Sequence, residues 1–394
     1  MGVTTLQQLH DALCFTSVFT GVTEKPLFKA FGNYVNAGTK EEKYRAYSAF
    51  VAEIYKQGES LSDCVKKYVF EDENVYVKAV AKQIPVPSSI QKSVERELAT
   101  FGKMTSLSAE TFAEDMGVSI RDIPTFVSTA VDMQAGYEKR LQNVDKYGYG
   151  IFSGTGMFRL SDDKQIEPIV SADKIGMDRF IGYEEERAQV VENTRAFVEG
   201  KAPANVLLCG DAGTGKSSTV KAVANAFFDE GVRLIELRKD QLAYLPTVMA
   251  KISGNPLKFI IFIDDLSFNK SDDHFSMLKA SLEGSASAKA DNAVIYATSN
   301  RRHIIKESFG DREGDDVHRN DTLQETLSLS ERFGLVVLFS KPDKKLYLDI
   351  VKTLAKKHGV VMDEKQLEIR AEAFALRKGN RSARCAEQFI DSLR

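Results

Sequence analysis

The chain has 394 residues, of which 43% are hydrophobic, and this is enough apolar material for two or three domains with separate cores. The formal net charge of -3 leaves no excess of positive charge to hold a polyanion, so nucleic-acid binding is not indicated, although a local basic patch would permit it. The four cysteines are scattered without a Cys-x-x-Cys pair, which argues against disulfide and zinc scaffolds. We therefore expect a cytoplasmic protein without a membrane segment.

The first 146 residues show the periodicity of a helical domain. The clearest helix begins at a capping box formed by Thr39 and Glu42 and ends at Gly58. Its apolar residues recur on one helix face: Tyr47, Phe50, Val51, Ile54 and Tyr55. A second helix is predicted over 89–101, after two proline breaks. We interpret residues 1–146 as a helical domain that binds an unidentified protein partner.

Residues 147–175 change in character. Aromatic and β-branched residues flank a turn at 161–163, which predicts a small β hairpin or linker. The aromatic side chains of this stretch are suited either to a partner surface or to a small local core, and we favour the core because a β element needs such residues to fold. They are Tyr147, Tyr149, Phe152 and Phe158.

Between 176 and 340, short apolar runs alternate with helical stretches. The runs predict five strands at 205–208, 232–237, 259–263, 293–297 and 335–339. Since these runs are apolar throughout, they indicate an α/β domain whose parallel sheet is covered by helices on both faces.

The last part of the chain, 341–394, predicts a small helical lid. Its first helix carries Pro342 in the first turn and ends at Gly359. One face of this helix is apolar, with Leu346, Ile350 and Leu354. Two further helical segments follow.

A complete phosphate-binding motif, GxxxxGKS, follows the first predicted strand and opens into a helix. Its glycines let the backbone turn with its amides facing inward, so that the amides and the helix N-terminus cradle phosphates. Lys216 is expected to contact the terminal phosphates, and the Ser217 hydroxyl to hold Mg²⁺. The predicted nucleotide-binding residues are Gly210, Asp211, Ala212, Gly213, Thr214, Gly215, Lys216, Ser217 and Ser218.

Two further predicted strands end in polar residues. The strand over 259–263 runs into Asp264, which is expected to hold Mg²⁺ together with Ser217, and into Asp265, which is expected to orient the attacking water. An alternative interpretation of Asp265 is that it only ends a core strand. The strand over 293–297 leads to Asn300, an amide that can donate to the γ-phosphate or to the attacking water.

With this order of motifs, the chain from about residue 180 onward resembles the AAA+ ATPases, in the branch of replication initiators and helicase loaders. The strings IDDLSF, ATSNRRH, SLSERFGL and GNRSARCAEQF resemble a bacterial family of predicted AAA+ ATPases whose biological task is unassigned. The resemblance implies an AAA+ P-loop sheet with a C-terminal helical lid, preceded by the helical N-terminal domain.

The resemblance also implies roles for individual residues. Asn300 corresponds to the sensor-1 position, and Arg332 to an arginine finger that reaches the ATP of a neighbouring protomer, so a homo-oligomer is expected through the Arg332 face. The lid arginine corresponds to Arg384, with Arg381 as the alternative. Apolar contacts to adenine are expected from Ile181 and Tyr183. The alternative candidates for the finger are Arg301 and Arg302.

The leading functional hypothesis is an ATP-binding and ATP-hydrolysing protein, with Mg²⁺ as cofactor, that couples its nucleotide state to remodelling or switching of a macromolecular partner. Asp265 stands where most AAA+ proteins use glutamate, and its shorter reach is expected to slow hydrolysis. Two alternatives stay open. One is a DNA-associated ATPase similar to helicase loaders, and the other is a P-loop phosphotransferase acting on a small acceptor.

Overall fold

The chain folds into two compact units, Met1–Gly154 and Thr155–Arg394. Within the part of the chain that is described, no helix has the length and apolar character needed to cross a membrane. The computed structural model describes residues 5–169, 175–266, 290–300 and 332–394, together with Leu278 and Leu282.

The first unit is built from short helices around an aromatic core. At its centre Phe112 packs against Tyr34, Tyr47 and Phe50, with ring centroids 5.0, 5.2 and 5.3 Å away. All four side chains are buried, so helices from three parts of the unit share one core. The helices are α1 (Thr5–Cys14), α2 (Thr20–Thr23), α3 (Pro26–Val35), α4 (Lys40–Tyr55), α5 (Leu61–Glu71), α6 (Val75–Ala81), α7 (Ser88–Met104), α8 (Ala109–Met116), α9 (Met133–Leu141) and α10 (Val144–Tyr147).

Helix α4 begins at the predicted capping box. The Thr39 hydroxyl accepts a hydrogen bond from the Glu42 amide at 3.2 Å, and the Glu42 carboxylate accepts one from the Thr39 amide at 3.0 Å. The pair satisfies amides that the first turn leaves open. The predicted apolar face is buried except for Tyr55, which is 50% exposed because its hydroxyl donates to the Thr125 carbonyl at the surface. Tyr55 thus lies at the exposed margin of the predicted apolar face.

The second unit is organised around a seven-stranded sheet. Its order is β2-β1-β4-β5-β6-β3-β7, and all neighbours are parallel except the antiparallel hairpin of β1 and β2. The five strands predicted from apolar runs are present as β3 to β7. The strands are β1 (Met157–Leu160), β2 (Ile166–Pro168), β3 (Val206–Gly210), β4 (Val232–Leu237), β5 (Lys258–Ile263), β6 (Ala293–Ser299) and β7 (Leu335–Phe339).

Burial explains the composition of the central strands. Every residue of β3 is buried, as are all residues of β5 after Lys258 and all of β6 after Ala293. A strand covered on both faces has no polar side to alternate with, which is why these segments read as continuous apolar runs. Their carboxyl ends lie at one edge of the sheet, because Gly210 pairs with Phe339, Cys209 with Ser299 and Ile263 with Ala297.

The aromatic residues of the stretch over 147–175 mostly fill cores. Tyr149 and Phe152 are buried in the first unit, and Phe158 is buried in β1 of the second unit. Tyr147 is 45% exposed. The predicted core of a small β element is therefore borne out for Phe158 alone, because Tyr149 and Phe152 are buried as part of the helical unit.

Three helices form a lid after the last strand. They pack around buried residues of each helix, including Tyr347, Ala371 and Phe389. The first of them starts later than predicted, because the Asp343 carboxylate caps it by accepting the Leu346 amide at 2.7 Å, so Pro342 precedes the helix instead of occupying its first turn. Within the described residues of the second unit, the helices are α11 (Glu184–Val198), α12 (Lys216–Ala226), α13 (Leu245–Ile252), α14 (Lys344–Lys357), α15 (Glu364–Lys378) and α16 (Ala383–Asp391).

Candidate functional site

The phosphate-binding motif forms the turn between β3 and α12. Gly210 has φ +137, and a Cβ there would lie 2.0 Å from the Phe339 carbonyl oxygen, so a side chain is sterically excluded. Gly213 and Gly215 have φ +79 and +92, which glycine adopts without steric cost. The glycines of the motif thus permit a backbone path that other residues resist, and this path leads into the N-terminus of a buried helix.

The amine of Lys216 lies folded against this turn. Its Nζ donates to the Asp211 carbonyl at 2.7 Å, to the Gly210 carbonyl at 3.0 Å and to Asn300 Oδ1 at 3.0 Å. Lys216 is buried. Burial lowers the pKa of its amine, while Asp211, Asp264 and Asp265 oppose that shift. The amine is a desolvated cation surrounded by uncharged oxygen acceptors, a setting that favours an incoming anion.

Asp264 receives three hydrogen bonds on one oxygen. Its Oδ1 accepts from the Ser217 hydroxyl at 2.6 Å, from the Thr298 hydroxyl at 2.6 Å and from the Asp265 amide at 3.1 Å. A hydroxyl and a carboxylate oxygen side by side are hard donors of the kind Mg²⁺ takes together with water molecules. Ser217 and Asp264 therefore fit the magnesium site predicted for them.

Asp265 and Asn300 lie next to each other at the exposed rim of the site. The Asn300 amide donates to Asp265 Oδ1 at 2.8 Å, while its oxygen accepts from Lys216. The Asp265 backbone has φ +53, a left-handed conformation uncommon outside glycine. The two carboxylates, the amide and the amine form one connected polar network at the carboxyl ends of β3, β5 and β6.

A cleft beside the phosphate turn lies between the sheet domain and the lid. Phe180 stands next to Gly215, about 3.9 Å from the position of a Cβ there, and the buried Arg187 places its guanidinium 5.1 Å from the centre of the Phe180 ring. The cleft lining includes Phe180, Ile181, Arg187, Gly213, Gly215, Ser218, Ile350, Leu354, Ala383, Arg384 and Glu387. One wall is therefore aromatic and aliphatic, which suits a flat base, and the turn at its end suits phosphates.

The structure separates the two residues proposed to contact adenine. Ile181 lines the cleft. Tyr183 is buried in the core, its ring 5.3 Å from that of Phe339, and its hydroxyl donates to the Ser340 carbonyl at 2.6 Å. Tyr183 thus lies in the core and not among the residues that line the cleft, and its contact with adenine stays a prediction.

The two lid arginines also differ. Arg381 makes two hydrogen bonds to the Glu372 carboxylate, at 2.9 and 2.7 Å. Arg384 lies against the phosphate turn, where its amide donates to the Gly213 carbonyl at 3.3 Å, and its side chain borders both the cleft and the polar network. Of the two candidates, Arg384 is the one positioned to meet a phosphate; its role stays a prediction.

Arg332 is not part of this site. It precedes β7, whose first residue, Leu335, pairs with the amino end of β3 at Val206. The phosphate turn follows the other end of β3, about 13 Å along the strand at 3.3 Å per residue. Arg332 is thus at the opposite edge of the sheet from its own phosphate turn. The alternative finger candidates, Arg301 and Arg302, lie outside the described residues.

Three residues of the site were missed by sequence reasoning. Thr298 has a detectable signal, because side chains two residues apart on a strand share a face and Thr298 stands two before Asn300. Phe180 directly precedes the predicted Ile181, but nothing in its local sequence separates a cleft residue from a core residue. Arg187 is on α11, and its burial depends on how that helix packs.

The arrangement of strands and lid confirms the predicted AAA+ fold. The P-loop follows β3, the acidic pair follows β5, Asn300 follows β6, and the helical lid follows β7. This is an α/β P-loop sheet with helices and a C-terminal helical lid, preceded in the chain by a helical unit.

Comparisons with known proteins identify the family of this chain and several solved structures to which it is similar. The chain is similar to the RuvB Holliday junction branch migration motor of Thermotoga maritima, with 15% identity over 55% of this chain and 72% of that chain and a TM-score of 0.34. One mutant of that motor is 14% identical over 55% of this chain and 72% of its own, with a TM-score of 0.35. Another is 15% identical over 55% of this chain and 71% of its own, with a TM-score of 0.33. No curated protein matches the chain. The chain belongs to the family described as protein of unknown function (DUF815), whose model matches residues 155–394.

Proposed function

We propose that this protein binds ATP together with Mg²⁺ and hydrolyses it. The observation that carries the proposal is the convergence of an amine, two carboxylates and an amide at the N-terminus of α12. The four groups belong to Lys216, Asp264, Asp265 and Asn300, and hydrogen bonds of 3.1 Å or less link them. Their chemistry matches that needed to bind phosphates, hold a divalent cation and place a water.

Lys216 supports the binding step. Its amine is held by two neutral carbonyls and one amide oxygen. Exchanging these neutral acceptors for anionic phosphate oxygens adds the attraction between opposite charges to hydrogen bonds that the ammonium already makes. Burial lowers the pKa of this amine, and a nearby anion opposes that shift because it favours the charged form.

Asp264 and Asp265 support different steps. Asp264 is partly buried and shares its Oδ1 with the Ser217 hydroxyl, so it is suited to hold Mg²⁺, which when bound neutralises charge on the phosphates. Asp265 is exposed, and its carboxylate is oriented by Asn300. A carboxylate in that position is suited to orient a water and accept its proton. Because aspartate reaches one methylene less far than glutamate, we expect slow turnover.

The test compares three variants by calorimetry with ATP and by release of phosphate. Lys216→Ala should weaken ATP binding about 10- to 100-fold, the equivalent of losing a charge-assisted hydrogen bond of about 1.5–3 kcal/mol. Asp265→Asn should bind ATP with little change and release phosphate much more slowly. Lys221→Ala is the matched control, because Lys221 lies on the same helix and pairs with Glu236 at 3.1 Å. Unchanged ATP affinity in Lys216→Ala would refute the proposal.

We further propose that nucleotide state controls a macromolecular partner held by the helical unit Met1–Gly154. Two observations support this proposal. The helical unit has a core of its own, and the same chain carries the nucleotide site in its second unit. The Asp265→Asn protein should retain the partner with ATP and release it with ADP. Equal capture under both conditions would count against coupling.

The two alternative functions make different predictions. A phosphotransferase requires a small acceptor, so phosphate transfer to water with no acceptor present would exclude it. An ATPase associated with DNA should bind single- or double-stranded DNA at moderate salt and turn over faster with it. A flat response to DNA in both assays would dismiss that alternative.

A further inference from the structure

Thr298 connects the two acidic residues of the site. It lies in β6, is 2% exposed, and pairs in register with Leu208 of β3. Its hydroxyl donates to Asp264 Oδ1 at 2.6 Å and accepts from the Asp265 backbone amide at 3.0 Å. Its carbonyl accepts from the Leu266 amide at 2.6 Å. Thr298 therefore binds the side chain of Asp264 and also the backbone amides of Asp265 and of the residue after it.

These bonds bear on an unusual backbone conformation. Asp265 has φ +53, a left-handed conformation that is uncommon for residues with a side chain, although aspartate adopts it more readily than most. Such conformations persist where the surroundings over-determine them, and they concentrate at functional sites. The Asp265 and Leu266 amides both donate hydrogen bonds to Thr298, and these two bonds hold the Asp265 backbone in its left-handed conformation.

We propose that Thr298 is a positioning residue for the hydrolysis proposed above. Through its donated hydrogen bond it orients the Asp264 carboxylate toward the magnesium site, and through its accepted one it fixes the Asp265 backbone so that the carboxylate stays beside Asn300. Thr298 is buried beneath these groups and acts through them. The inference depends on the proposed nucleotide site, and it adds a residue outside the phosphate-binding motif and the acidic pair.

The hydroxyl, and not the shape of the side chain, carries the proposed role. Valine has nearly the same volume as threonine but neither donates nor accepts, so Thr298→Val leaves the Asp265 amide and one Asp264 lone pair without this partner. Serine keeps the hydroxyl and loses only a methyl group. The pair Thr298→Val and Thr298→Ser thus separates hydrogen bonding from packing.

A matched control removes another buried hydroxyl from the same unit. Thr194 is fully buried on α11, where its hydroxyl contacts the Val190 carbonyl at 2.8 Å and the Tyr296 hydroxyl at 2.7 Å. It lies outside the nucleotide site. Thr194→Val therefore measures the effect of losing a buried hydrogen-bonded hydroxyl on the fold alone.

The experiment measures binding of a non-hydrolysable ATP analogue with and without Mg²⁺, followed by kcat and KM for ATP. In the unchanged protein, Thr298→Ser and Thr194→Val, Mg²⁺ should tighten binding to a similar extent. In Thr298→Val that enhancement should shrink, and kcat should fall by about 10- to 100-fold, as for other residues that orient metal ligands, while KM changes little.

Two results would overturn the inference. One is a Thr298→Val protein with normal Mg²⁺ enhancement and normal kcat, and the other is a Thr298→Ser protein as impaired as Thr298→Val. If Thr298→Val fails to fold, Thr298→Ala removes the same hydroxyl and is held to the same outcomes. If the unchanged protein binds no nucleotide, the proposed function fails first. If it binds nucleotide and Thr298→Val matches it, only the Thr298 role fails.

Discussion

Replacing Gly210 with alanine should destabilise the second unit far more than an ordinary glycine substitution. Gly210 has φ +137, and holding a residue with a side chain in such a conformation costs about 1–3 kcal/mol. The added Cβ would lie 2.0 Å from the Phe339 carbonyl oxygen, more than an ångström inside ordinary contact. Phe339 belongs to the neighbouring strand, so the clash falls on backbone that cannot rotate away.

The magnitude follows from what must move. Relieving the clash separates the ends of β3 and β7, which costs about 1–3 kcal/mol by analogy with overpacked cores. It also breaks the 3.3 Å hydrogen bond from the Asp211 amide to the Phe339 carbonyl, worth about 1 kcal/mol. With the backbone strain, the free energy of unfolding should fall by roughly 3–7 kcal/mol.

The assay is thermal unfolding of the full chain by calorimetry, with Gly379→Ala as the control. Gly379 lies in the same unit and has φ +75, but a Cβ there meets nothing within 4 Å. The control should lose only about 1–2 kcal/mol from its left-handed conformation. At about 2–4 °C per kcal/mol for a unit of this size, Gly210→Ala should lower Tm several-fold more. Equal losses in the two variants would show that the close approach of β3 and β7 is not what requires glycine.

Two further predictions concern arginines. Arg332→Ala should bind ATP normally and hydrolyse it poorly, because Arg332 lies at the far edge of its own sheet and would act on a neighbour's ATP. Mixing this variant with Lys216→Ala should restore part of the activity, measured as phosphate release. Activity that is flat on dilution, together with a mixture that stays inactive, would argue for a monomer acting alone. Arg384→Ala should weaken binding of ATP more than of ADP, whereas Arg381→Ala should lower Tm without this effect, since Arg381 already pairs with Glu372. Calorimetry with both nucleotides checks the pair, and an equal effect of both substitutions would contradict the placement of Arg384.

Much of the nucleotide site can be predicted from local sequence motifs. The glycines at 210 and 215, the lysine and the serine stand at fixed spacing after an apolar strand, and each answers a local requirement for backbone path or charge. The two aspartates and Asn300 end strands that are parallel neighbours, and parallel strands bring their carboxyl ends to the same edge. Periodicity and strand order therefore suffice to predict that these groups meet.

Other parts of the site depend on tertiary packing. Ile181 and Tyr183 are two residues apart, yet Ile181 lines the cleft, whereas Tyr183 is buried and its hydroxyl donates to the Ser340 carbonyl. The contact that places Tyr183 comes from Ser340, a residue distant in sequence, so no local pattern predicts it. Arg381 and Arg384 are both basic lid residues, and the pairing of Arg381 with Glu372, nine residues before it, depends on how the chain turns after α15.

Thr298 shows how the two kinds of information combine. Its place on the face of Asn300 follows from the two-residue period of a strand. That its hydroxyl joins Asp264 to the Asp265 amide follows only from the register of β6 beside β5, which sets Ile263 opposite Ala297 and brings the next residues of both strands together. Local motifs and strand order are enough to predict which chemical groups the site contains and at which edge of the sheet they gather. The tertiary structure decided which of them touch, because a hydrogen bond depends on ångström distances that only packing between strands and helices establishes.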